Sequence, residues 1–331
     1  MAQNVNEAKP KSSTELAKFD ALFPELVGDL TKNEMKNPEI ADAFIWFKEV
    51  LHYNVPFGEK TSGVSVVTSY KHLVPQASEA DMKIARVLGW CIELLQACSL
   101  IMDDVEDNSV TRRGRPCWYK KEEVGLTAVN DASFLECTVY SLLKKYIRDK
   151  PYYLSILELF LQTTCQTVTG QCLDLITGAS GEVDFSKFTM ERYSAIVKWK
   201  TGFHSFYLPV AVAMHMAGIS DDESHAQVMP VLLQMGHFYQ IQNDYLDCYG
   251  APEITGKVGT DIQDNKCSWL IVKALEIASD EQKEALKLNL EDIYKQCEEN
   301  SYQDCIHLIY SMDSVVPKTV FLDFVNMIYK R

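Results

Sequence analysis

The sequence predicts an all-α fold: one helical bundle around a central cavity. Apolar residues recur at helical three- and four-residue intervals almost throughout. No stretch alternates polar and apolar residues long enough to build a sheet. No Gly/Ser-rich linker divides the 331 residues either. The length would admit two domains, but a single domain over residues 1–331 with a sizeable core is the economical reading, with residues 1–13 flexible.

In chain order, Thr14–Leu30 reads as a helix with a Ser/Thr cap region and apolar Leu16, Phe19, Leu22 and Phe23, kinked at Pro24. Pro38 is expected in the first turn of a helix carrying Ile40, Phe44 and Phe47. The loop YNVPFGEKTSG follows, marked by Pro56, Gly58 and Gly63, and Val64–Leu73 resumes helix. An element from Glu79 runs through the apolar segment LLQACSLIM and ends near Asp107. TRRGRPCWY is a loop, because Gly114 and Pro116 interrupt the period. Residues 127–148 are helical, and a long element from Pro151 to Ile176 is broken by TGASGE. Phe188–Ile219 contains a long helix or a pair. Pro230 introduces the helix carrying VLLQMGHFYQIQNDYLDCYG, after which comes the loop GAPEITGKVGTDIQDNK. Two or three amphipathic helices occupy Ser268 to Arg331.

Composition narrows the function. Hydrophobic residues are 47% and charged residues 24%, and the net charge of −14 argues against a nucleic-acid partner or an anionic membrane. Ten Cys without a CxxC pair suit a reducing compartment. The polar first fifteen residues lack the apolar segment of a secretion signal, and no Arg precedes Arg86. The apolar stretch Tyr207–Ile219 is too short to span a bilayer. No transmembrane segment and a cytoplasmic location are therefore expected.

The chemistry is carried by two acidic clusters at the ends of apolar helical runs. Asp103 and Asp107 lie one turn apart on one face with Asp104 beside them. Asn243, Asp244 and Asp247 repeat the pattern about 140 residues later. Hard oxygen ligands of this kind suit Mg²⁺ bridging a few carboxylates to substrate phosphates. Facing each other across a cavity, the clusters could hold about three Mg²⁺ and a diphosphate. Ionising an allylic diphosphate needs that arrangement: metals and cations stabilise the leaving charge while apolar walls keep water from the carbocation. Arg112, Lys200 and Lys257 are the candidate cationic partners, although a lone Lys or Arg is more often a surface charge. Thr201 and Gln240 could orient oxygens, and Asp261 and Lys266 lie beside a Gly-rich loop and could bind phosphate or only each other. His204 is expected to enter the cavity or pack in the core. Phe203, Phe206, Tyr207, Phe238 and Tyr239 are candidate cavity aromatics.

The segments YNVPFGEK, MDDVEDNSVTRRGRPCWY, IVKWKTGFHSFYLPVAVAMHMAG and FYQIQNDYLDCYGAPEITGKVGTDIQDNKCSW resemble the farnesyl diphosphate synthase family of short-chain trans-prenyltransferases, from about Tyr53 onward. The resemblance implies an isoprenoid-synthase helical bundle and a homodimer. It also implies Mg²⁺ on Asp103, Asp104 and Asp107 and on the second cluster. Arg112, Lys200 and Lys257 would grip the allylic diphosphate, with Thr201 and Gln240 nearby.

Departures from the family pattern direct the functional expectation. Glu59 and Ser62 stand where the family has Lys and Arg for isopentenyl diphosphate, a change from +2 to −1. One charge contact at 4 Å and an effective dielectric near 20 is worth about 4 kcal/mol, so that binding mode should be nearly abolished unless Lys60 and Arg113 compensate. Asn243 replaces the first Asp of the second motif, and the chain ends at Tyr329-Lys330-Arg331 without a longer basic tail. Cys98 and Ser99, five and four residues before Asp103, stand where bulky aromatics limit chain length, which implies a deeper pocket. The expectation is a terpene synthase on the prenyltransferase scaffold. It would ionise farnesyl diphosphate to a sesquiterpene hydrocarbon or alcohol, and so act as a diphosphate lyase. The alternative is a prenyl elongase making farnesyl or geranylgeranyl diphosphate; a non-catalytic diphosphate-binding subunit is a third reading.

Overall fold

The computed structural model describes residues 11–178, 184–279 and 290–329. Of the segment expected to be flexible, residues 1–10 lie outside that range, and Lys11–Ser13 already open the first helix. The fold is the expected all-α bundle. Helices α1 (Lys11–Thr31), α2 (Ala41–Asn54), α3 (Thr61–Leu73) and α4 (Glu79–Glu106) form the first half. A two-residue hairpin pairs Thr111–Arg112 with Arg115–Pro116, too short to make a sheet layer. Then come α5 (Ala128–Ile147), α6 (Tyr153–Thr177), α7 (Met190–Val197) and α8 (Leu208–Met216). Helices α9 (Asp222–Tyr249), α10 (Pro252–Thr255), α11 (Trp269–Ile277), α12 (Leu290–Ser311) and α13 (Lys318–Ile328) complete the order.

Local chemistry explains the long helices. Helix α4 starts at Ser78, whose hydroxyl accepts the Asp81 N–H, with Glu79 and Asp81 in the first turn against the helix dipole. Helix α9 starts the same way at Asp221, which accepts Ser224 N–H at 2.8 Å. Pro230 does not begin that helix as expected; it lies inside it, eight residues past the start at Asp222. Pro38 lies in the turn before α2 rather than within it. Thr61–Gly63 form the first turn of α3 rather than loop.

Helix α4 is the axis of the bundle, packed chiefly against α5 and α3. Its length and apolarity would let it cross a bilayer, and in this respect it surpasses Tyr207–Ile219; but 78% of its apolar window is buried inside the bundle. Trp90 near its centre stacks on Phe19 of α1 at 4.5 Å and donates its indole N–H to the Phe19 carbonyl.

Between α7 and α8 the chain winds as a ten-residue π-helix, Lys198–Tyr207. Such segments are rare and concentrate at functional sites. Helix α6 reaches it through Gly170, where a Cβ would overlap the Lys200 backbone nitrogen. Glycine is needed there for close approach.

Candidate active site

The C-terminal end of α4, the π-helix, α6 and the C-terminal half of α9 enclose a cavity of about 620 Å³. Asp103 and Asp107 face into it from α4. The hairpin turns Arg112 back onto the same helix end, where Nε donates to Asp104 Oδ1 at 2.8 Å and Nη2 lies 3.2 Å from Asp103 Oδ2. Lys200, from the π-helix, reaches Asp103 Oδ1 at 3.0 Å and Asp174 Oδ2 at 2.8 Å. Lys266 reaches Asp107 at 2.6 Å and the same Asp174 oxygen at 3.1 Å. Gln171, one turn before Asp174, donates to Asp103 and Glu106.

On the facing side, Asp244 accepts from the Gln240 amide at 2.9 Å and from the Trp269 N–H at 2.8 Å. Thr201 donates to the Gln240 carbonyl oxygen at 3.0 Å, which links the π-helix to α9. Asp247 takes Lys257 Nζ at 2.5 Å and the Asp261 N–H at 2.9 Å. Asn243 also lines the cavity. Two oxygen-rich clusters thus oppose each other across one cavity, with lysines and an arginine between them.

Electrostatics separate the two sides. Burial pushes Asp103 toward its neutral form, but Lys200, Arg112 and Lys266 outweigh that and hold it well below the usual carboxylate range. Asp174 is likewise lowered, its desolvation overcome by Lys200 and Lys266. Burial raises Asp107, reinforced by Asp103. On the α9 side burial dominates: Asp244 is pushed up to about 6, and Asp261 to about 8 with Asp244 and Asp247 adding repulsion. These acids lack enough positive charge of their own.

Among the described residues no three acidic, His or Cys groups are preassembled to hold a metal. The donor set still fits Mg²⁺, which binds through one or two carboxylates plus phosphate oxygens and water rather than in an all-protein cage.

Most of the residues singled out in the sequence do converge. Cys98, Ser99, Asp103, Asp107, Arg112, Arg113, Lys200, Thr201, His204, Gln240, Asn243, Asp244, Asp247, Lys257 and Lys266 all line the cavity. Asp104 does not line it: it is 3% exposed and turned toward Arg112. Phe238 does not either; it sits at 0% exposure in the hydrophobic core, with Val231, Leu232 and Met235 of the same helix. Of the other candidate aromatics, Phe206 and Tyr239 reach the cavity. Lys266 joins Asp107 and Asp174, not the Asp261 side chain. Asp174 itself escaped the sequence reading. Its signal was a carboxylate buried in a helix with few other charges.

Residues 45–309 match the family described as Polyprenyl synthetase. The chain belongs to that family. Farnesyl pyrophosphate synthase of Gallus gallus is 49% identical over 339 aligned residues, covering 96% of this chain and 92% of the relative. The Homo sapiens protein of the same name is 48% identical, covering 93% of this chain and 79% of its own. A solved T. brucei farnesyl diphosphate synthase complexed with a bisphosphonate superposes with a TM-score of 0.87 at 26% identity, covering 96% and 99% of the two chains. Family membership implies Mg²⁺ dependence.

These findings overturn the expected terpene synthase: the family's relatives support chain elongation by a prenyltransferase, not a lyase that turns farnesyl diphosphate into a sesquiterpene. The physical reason lies at the cavity's second end. The expected loss of positive charge compared Glu59 and Ser62 with the family position by position. In three dimensions Lys60 and Arg113 both line that end. Lys60 sits at the cap of α3 in the left-handed region (φ 56°), its ammonium 2.8 Å from Asp20. Arg113 anchors to the Asn54 carbonyl at 2.5 Å. Two cations therefore line the cavity along with Glu59, one of them already paired with Asp20.

Proposed function

We propose that the protein condenses isopentenyl diphosphate with allylic diphosphates to make farnesyl diphosphate, releasing diphosphate at each step. The observation that carries this reading is the opposition of two oxygen-rich clusters, with Arg112, Lys200, Lys257 and Lys266 between them, in a chain that matches farnesyl pyrophosphate synthases over most of its length. Lys200, Lys257 and Arg112 would hold the allylic diphosphate, exchanging their present carboxylate partners for phosphate oxygens. Thr201 and Gln240 would fix its orientation. Asp103, Asp107, Asn243, Asp244 and Asp247 would hold about three Mg²⁺. When bound, Mg²⁺ supplies Lewis-acid neutralisation of the departing charge. Asp104 would act by holding Arg112 in place. The apolar wall excludes water from the reacting carbons, and Cys98 and Ser99, below Asp103, would set the depth available to the growing chain. Lys60 and Arg113 would seat isopentenyl diphosphate.

A homodimer and a cytoplasmic location complete the proposal. The exposed stripe of α6, with Leu161 at 49% and Val168 at 63%, is the apolar face that a second copy would cover.

The test is product analysis with Mg²⁺ and geranyl diphosphate, alone and with isopentenyl diphosphate. A C15 diphosphate formed only with both substrates is expected. A volatile hydrocarbon from geranyl or farnesyl diphosphate alone, without elongation, would refute the reading. Lys60→Ala combined with Arg113→Ala should raise the KM for isopentenyl diphosphate at least about 10-fold, since a hydrogen bond to a charged group is worth about 1.5–3 kcal/mol, while leaving the allylic KM nearly unchanged.

A further inference from the structure

The cavity continues well below the acidic clusters, and its far end carries a charge to which nothing above assigns a task. On α6 the lining steps down from Asp174 through Gln171 and Val168 to Thr164, three or four residues at a time on one face. Those ten residues of helix span about 15 Å, room for a farnesyl chain laid along them. On α4 the lining runs down from Asp103 to Ser99 and Cys98, whose small side chains leave the passage open. Helix α5 contributes a single lining residue, Glu136. Its carboxylate accepts from the Tyr140 hydroxyl, one turn further along α5, at 3.2 Å. Burial pushes the Cys98 thiol up to about 12, and the charge of Glu136 adds to that shift, so the carboxylate stands near Cys98.

Glu136, Thr164 and Val168 line a second space as well, an outer groove of about 500 Å³ between α5 and α6. These three side chains are therefore the partition between the tail end of the cavity and the outer face of α6. Thr164 spends its hydroxyl hydrogen on the Phe160 carbonyl of its own helix, at 2.9 Å. Val168 is apolar, so of the three only Glu136 carries a charge. A hydrocarbon end pushed past it would strip water from the carboxylate and return no hydrogen bond.

We infer that Glu136 determines product length, as the stop that ends chain growth at C15. The inference rests on the elongation reading above. Bulk cannot supply the stop at Cys98 and Ser99, which leave the passage open. A farnesyl tail reaches down to the partition, and a fourth isoprene unit would have to pass between Glu136 and Cys98. The barrier is the polarity of the carboxylate rather than its volume. A leucine of similar size should therefore open the passage.

The test compares wild type with Glu136→Leu and Glu136→Ala, given Mg²⁺, geranyl diphosphate and excess isopentenyl diphosphate, with the C15 and C20 diphosphates quantified separately. Wild type should stop at C15. In Glu136→Leu the ratio of C20 to C15 should rise at least about 10-fold, the effect of no longer desolvating an unpaired polar group. Alanine, the best helix former, serves as the second variant should leucine not fold. The readout is a ratio, so a change in total activity does not move it. Adding Cys98→Phe to either variant should return the product to C15, because the ring blocks the passage above the partition. A ratio within about twofold of wild type in a folded variant overturns the inference. Failure of Cys98→Phe to shorten the product overturns it too, since the longer tail then takes another path. So does a wild type that makes mainly C20, because the carboxylate then stops nothing. A longer product accompanied by a changed sedimented mass also overturns it, by assigning length to a contact between copies. A wild type that does not condense the two substrates overturns the elongation reading itself.

Discussion

Replacing Asp174 with Asn tests whether the cavity's cations are held by design or by accident of packing. This carboxylate receives Lys200 at 2.8 Å and Lys266 at 3.1 Å, and it is 6% exposed. Removing one partner from a buried ion pair costs about 3–5 kcal/mol. Here each lysine keeps a second carboxylate, Asp103 at 3.0 Å and Asp107 at 2.6 Å. A loss of about 2–3 kcal/mol is therefore expected. With an unfolding entropy of roughly 2.1 cal/mol/K per residue over 331 residues, about 0.7 kcal/mol/K, the Tm should fall by about 3–4 °C. The assay is calorimetry of chelator-treated wild type and variant at pH 7.5. Because the folded carboxyl titrates below its unfolded value, Asp174's contribution is complete above about pH 5 and disappears as pH falls through the folded value. The gap between the two proteins should close accordingly in acid. A shift below about 1 °C at pH 7.5, or a gap unchanged in acid, would show that the lysines re-pair without loss and would refute the reasoning.

Gly170→Ala should force α6 away from the π-helix, because the new Cβ overlaps the Lys200 backbone nitrogen. An overpacking cost of about 1–3 kcal/mol is expected in thermal denaturation, with a loss of kcat larger than any change in KM for isopentenyl diphosphate. Asp261, held near pKa 8 by burial and by Asp244 and Asp247, sets the sign of a pH effect. Its folded value lies above the unfolded one, so the chelated protein should lose stability relative to an Asp261→Asn variant as pH rises from about 5 to 8. Mg²⁺ should flatten that slope by favouring the ionised acids, and its affinity should rise over the same window; a Tm difference between the two proteins that is independent of pH without metal would contradict the assignment.

The sequence alone determined the all-α class, the long apolar helix ending in Asp103 and Asp107, and the second cluster at Asp244 and Asp247. Those features are local: helical period and capping chemistry act within a few residues, and motif spacing fixes which carboxylates share a face. It also carried the family resemblance. What it did not convey was which side chains meet across helices. Asp104 sits next to Asp103 yet turns to Arg112, and Phe238 sits near Gln240 yet enters the core, because one position around a helix changes the face by about 100°. Asp174 acquires meaning when α6 crosses the π-helix at Gly170 and brings two lysines to it. The charge of the second diphosphate end depended likewise on folding. Along the chain Lys60 and Arg113 are only candidates to offset Glu59 and Ser62; the fold puts both on the cavity wall, Lys60 paired with Asp20 and Arg113 on the Asn54 carbonyl. Coulomb energy depends on distance in space, and only the packed bundle sets those distances.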